Sequence, residues 1–122
     1  MYESLIKQTQ KAIEHSLKWA ETGWGMTFGD RQVNVGSLKE AEELPPHFVY
    51  REEALNYWKQ VQLTGSDAAA SGKKALAALE REDFKGAEDF VYCSMYHEKP
   101  FAAKAKTWKL VYDAVKQEMS KS

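Results

Sequence analysis

Cys93 and His97 are the two residues whose types and spacing come closest to a reactive pair. Four positions apart on a helix is one turn, so their side chains can touch. A neighbouring imidazole can lower a thiol's pKa and favour the thiolate, the form that attacks electrophiles and responds to oxidants. The structural alternative is a buried Cys93 acting as a small hydrophobe, with His97 favoured by the negative end of the helix dipole. Reactive thiols tend to sit at helix N-termini, whereas Cys93 falls late in its segment, so the sequence favours the structural role.

Two further pairs share the one-turn spacing. His15 and Trp19 lie on the flank of an apolar stripe, where they would either line a ligand pocket or pack edge to edge. Tyr92 and Tyr96 flank Cys93 on a segment that is apolar or aromatic around most of its circumference. Tyrosine is enriched in interface hot spots, because a large ring with one polar tip suits a half-wet surface.

Other chemistry lacks its pattern. His15, His47 and His97 stand on three separate segments with neither HExxH nor ExxH spacing, so no metal site is expected. The phosphate-cradling GxGxxG and GxxxxGK[ST] motifs and the GxSxG nucleophile elbow are missing, and no cofactor is expected. Glu52, Glu53, Glu80, Glu82, Asp83, Glu88 and Asp89 are scattered over polar positions, and none stands out as an acid–base pair. The single cysteine rules out a disulfide within one chain.

The elements that carry these residues are mostly helical. Tyr2, Leu5, Ile6, Ala12, Ile13 and Ala20 share one stripe of a predicted helix over residues 2–20, which Glu21-Thr22-Gly23 can stop. Alternation around Phe28, Val33 and Val35, with Gly29-Asp30 between, predicts a small β-hairpin or ordered loop near residues 24–37. Ser37 and Glu40 fit a capping box that opens a short helix, and Pro45-Pro46 must end it.

His47, Tyr50, Ala54, Tyr57, Trp58 and Val61 share a face of the next helix, which Thr64-Gly65 is expected to close before Ser66-Asp67 starts another. That following helix, about residues 67–81, has Ala68, Gly72, Ala75 and Leu79 on a narrow face suited to close packing. Asp83 can cap a helix with Phe84, Ala87, Val91, Ser94 and Met95 as its core stripe, which neighbours are expected to enclose on several sides. Lys99-Pro100 ends it, and Phe101, Ala105, Trp108, Tyr112, Val115 and Met119 define one face of a last helix. The expected fold is a single mainly α domain over residues 1–122, a compact bundle of about four long helices plus one short helix.

Asp83-Phe84-Lys85-Gly86-Ala87, with Val91, Ser94 and Pro100, resembles the second helix of a tetratricopeptide repeat. It departs from that pattern at Ser71 and Ala78, where large residues belong, and no 34-residue period recurs. The run from Ala87 to His97 resembles the aromatic helix of HEPN-type bundles, which are often ribonucleases or toxin partners. No arginine precedes His97 at that family's catalytic spacing, so nuclease activity is not implied.

Composition narrows the partners. Lys plus Arg number 17 against 18 Asp plus Glu, which supplies no basic excess for nucleic acid. Apolar runs are too short to cross a bilayer, and Met1-Tyr2-Glu3-Ser4 has no signal-like apolar stretch, so a cytoplasmic protein is expected. The expected function is that of an accessory or adaptor protein that binds a protein partner or itself. The alternative is a helical-bundle protein that binds a small molecule, or an enzyme using Cys93 and His97.

Overall fold

The computed structural model describes residues 2–19, 26–28, 33–98 and 107–121. The chain is mainly helical. Its elements in order are α1 (Glu3–Leu17), β1 (Met26–Phe28), β2 (Val33–Val35), α2 (Leu38–Glu42), α3 (Arg51–Glu80), α4 (Phe84–Glu98) and α5 (Thr107–Ser120).

In α1 the buried residues Leu5, Thr9, Ala12, Ile13 and Ser16 recur at three- and four-residue steps, the spacing of one helix face. Thr9 is tolerated there because its hydroxyl donates to the Leu5 carbonyl at 2.8 Å. The helix ends at Leu17, where the Lys18 amide donates to the His15 carbonyl. The expected stop at Gly23 lies outside the described residues.

The 30 residues of α3 rise about 45 Å, roughly twice the reach of the other long helices. Those helices therefore cover only about half of it. α1 packs on α3, α3 on α4, α4 on α5 and α5 on α1, which closes a four-helix ring of which the C-terminal half of α3 is one member. Ser16 near the end of α1 lies against Gly65, while Tyr2 at its start meets Phe84 with ring centroids 5.6 Å apart. The two helices are thus antiparallel. The α3–α4 turn is closed by Glu82 at φ 59° and by Asp83, whose Oδ1 accepts from the Gly86 amide at 2.9 Å.

The N-terminal half of α3 is met by α2 and, at Trp58, by β2. β1 and β2 pair antiparallel with Thr27 opposite Asn34, and α2 packs on α3. The buried Trp58 ties this layer down, since its Nε1 donates to the Val35 carbonyl at 3.1 Å. Ser37 caps α2 by accepting from the Glu40 amide at 3.1 Å. Glu40 reaches back, but to the Gly36 amide rather than to that of the cap residue.

The expected helix break at Thr64-Gly65 is absent, and α3 runs straight through it. Gly65 is buried, and a Cβ there would strike the Ser16 carbonyl oxygen of α1. The glycine serves close approach of two backbones rather than a helix stop. Gly72 does the same one level on, where a Cβ would come 2.7 Å from Trp108 Cζ2 and 2.9 Å from Ile13 Cγ1.

Candidate functional site

The pattern of burial on α4 decides what its reactive and aromatic residues can do. Ala87, Val91, Ser94 and Glu98 are buried at three- and four-residue steps, so one face of α4 points into the bundle. Ser94 fixes that face by donating from Oγ to the Ala68 carbonyl of α3 at 2.7 Å. Positions 92, 93 and 96 then fall on the outside. Tyr92 is 52% and Tyr96 64% exposed.

The expectation that neighbours enclose α4 on several sides is therefore corrected. Among the described elements α3 and α5 pack most extensively on α4, and they leave Tyr92, Cys93 and Tyr96 exposed. Tyr92 leans toward α5, its ring 5.9 Å from that of the half-buried Tyr112, while Tyr96 meets the ring of His97 at 6.2 Å. Leu110 on α5 is also exposed.

Cys93 is exposed too, which corrects the expectation that it is buried. The reason is angular: it adjoins the buried Ser94 in sequence, yet a helical step of one residue turns it onto the Tyr92–Tyr96 face. His97 is half-buried, and no hydrogen bond joins it to the thiol. An exposed thiol without that bond has access but no activating contact. Cys93 should react with a maleimide or aromatic disulfide reagent at the rate of an exposed model thiol at neutral pH. Labelling many times faster, and slowed by His97→Gln, would show that the histidine activates it.

His15 and Trp19 belong to another part of the molecule. α1 and α4 are diagonal in the ring, so this pair does not join the Tyr92–His97 cluster. Trp19 is fully buried beside Gly65 and acts as core, while His15 is half-buried. An open hollow along α1, lined by Glu3, Ser4, Lys7, Gln8 and Lys11, contains none of the candidate residues.

Glu98 was not singled out by the sequence. It is 2% exposed at the end of α4, and its Oε1 accepts from the Trp108 amide at 2.9 Å and from the Lys109 amide at 3.4 Å. A carboxylate that satisfies first-turn amides is a helix cap supplied from another helix. Burial pushes its pKa up, opposed by the hydrogen bonds from the Trp108, Lys109 and Thr107 amides. Nothing local marks this glutamate, because its partners lie ten and eleven residues downstream.

Among the described residues, no group of three or more His, Cys, Asp and Glu side chains is placed to hold a metal ion. No helix there is long and apolar enough to cross a membrane. No family model, curated protein or solved structure matches this chain. The functional reading consequently rests on the α4 face and its surroundings.

Proposed function

We propose that the chain is a small helical accessory or adaptor protein, and that it binds a protein partner through the outer face of α4. The observation that carries this reading is the exposure of Tyr92 and Tyr96, one turn apart on a helix whose opposite face is fully engaged in the bundle. Two tyrosines on a rigid helix offer a large contact area at a low cost in side-chain entropy. On the same helix Lys85 pairs with Asp89 at 3.5 Å, and on the adjacent α5 Lys109 pairs with Asp113 at 2.7 Å, both pairs exposed. This arrangement, apolar rings beside a charged and solvated border, suits a protein interface.

A partner recovered by affinity capture and then purified provides the test. The double change Tyr92→Ala and Tyr96→Ala should weaken its binding by about 2 kcal/mol or more, close to thirty-fold in Kd. Unchanged affinity for such a partner would remove this face from the reading. The second reading, chemistry at Cys93 with His97, draws on the exposure of the thiol and is tested by its labelling rate.

A further inference from the structure

We infer that Glu98 makes the α4–α5 junction proton-linked, so that acidification from neutral pH tightens the seating of α5 on the bundle. This is independent of whether Tyr92 and Tyr96 bind a partner. Among the described residues, the buried polar or charged side chains are Thr9, Ser16, Ser94 and Glu98, and only Glu98 can ionise. The other three are satisfied: Thr9 donates to Leu5, Ser94 donates to Ala68, and Ser16 accepts from Trp108 Nε1.

Glu98 is served on one oxygen alone. Oε1 takes the Trp108 and Lys109 amides and the Thr107 amide also favours the charged carboxylate, while Oε2 is buried with no hydrogen-bond partner. An ionised carboxylate can accept on both oxygens, so half of its capacity is unmet where water does not reach.

Among the described residues, the charged and titratable groups of the surrounding elements form no ion pair with it. On α5, Lys109 Nζ is bound to both oxygens of Asp113, and both side chains are exposed. On α4, the adjacent His97 is half-buried with its ring against Tyr96. On α1, the nearest titratable neighbour of Ser16 is the half-buried His15. The buried face of α3 contains no ionisable side chain, and no ion pair of Glu98 occurs among the described residues.

Two effects compete at this carboxyl group. The amides at the start of α5 favour its charged form, and burial beside an unserved oxygen favours the neutral one. Burial is the larger, which sets the direction of the pKa upward. A carboxyl pKa that is higher folded than unfolded means the folded chain binds the proton more tightly. The penalty is then complete above the folded pKa, shrinks as pH falls through it, and is gone below the ordinary value of 4.5.

Thermal unfolding of the native chain and of Glu98→Gln, followed from pH 7.5 to about pH 5, separates this effect from the other carboxylates. The glutamine keeps an acceptor for the α5 amides and cannot ionise. Relative to the variant, the native chain should gain in Tm on acidification, the direction set by burial of the carboxyl group. Parallel pH profiles for the two proteins would overturn the inference. Should the glutamine variant fail to fold, an NMR titration of the Glu98 carboxyl in the native chain decides the question. A midpoint above the ordinary carboxyl value supports the proton link, and a midpoint at or below it overturns it.

Discussion

Trp108→Ala is expected to lower the unfolding free energy by about 3–5 kcal/mol, the usual cost of removing a large buried aromatic ring. Trp108 is fully buried, and its ring reaches from α5 across the bundle to the diagonal helix, α3, where Gly72 leaves room for it. Its Nε1 donates to Ser16 Oγ at 2.7 Å, so one side chain links α1, α3 and α5. Alanine would open a cavity bordered by Gly72 and Ile13 and leave the Ser16 hydroxyl without its donor. The lost ring cannot be replaced by collapse, because α3 is already held against α1 at Gly65. Domains of this kind have about 5–15 kcal/mol in total, so a chemical denaturation curve should shift far toward lower denaturant. Trp108→Phe should fall between the two, since it keeps most of the volume and loses the hydrogen bond. A loss below about 1 kcal/mol for the alanine variant would show that Trp108 is not the filler of the bundle.

Gly65→Ala carries the second large effect, with a sign opposite to that of local propensity. In an exposed helix interior the change should stabilise by about 1 kcal/mol. Here the added methyl meets the backbone carbonyl oxygen of Ser16, which cannot rotate aside as a flexible side chain would. Relief requires α1 to move away from α3, which loosens Trp19 beside Gly65 and weakens the seating of Trp108 against Ser16. Overpacking costs about 1–3 kcal/mol even where side chains can adjust, and a backbone contact belongs at the upper end. The net expectation is a destabilisation of about 2 kcal/mol, read from the same denaturation experiment. A variant more stable than the native chain would mean that α1 and α3 do not approach closely at this point.

The sequence discloses the parts of this fold that depend on periodicity. The stripe through Leu5, Ala12 and Ile13, the small face through Ala68, Gly72 and Ala75, and the caps at Ser37 and Asp83 all follow from local spacing and residue type. Gly65 looks like a helix stop in the sequence because a glycine that ends a helix and one that admits a neighbouring backbone are alike until the neighbour is placed. Here the partner is Ser16, some fifty residues away in the chain.

The candidate site was legible as a set of residues but not as a surface. Spacing alone puts Tyr92, Cys93 and Tyr96 off the core stripe of α4. Whether that side is covered depends on how the helices surround α4, and among the described elements α3 and α5 are its main neighbours. The sequence points Cys93 inward and leaves Glu98 unmarked for the same reason. Residue type is a prior about burial, and tertiary neighbours decided against it in both places, exposing the thiol and enclosing the carboxylate.

The unfolding free energy of the Tyr92→Ala and Tyr96→Ala double variant tests most directly whether the α4 face is a free surface kept for a partner. Tyr92 retains a ring contact with Tyr112, and Tyr96 one with His97, so a small loss is expected from these exposed contacts. Measured beside the native chain by chemical denaturation, the double variant should unfold cooperatively and lie within about 1 kcal/mol of it. Tyrosines that belong to the core would instead cost several kcal/mol when both are truncated. A loss of that size, or a variant that does not fold, would contradict the reading of this face as a binding surface.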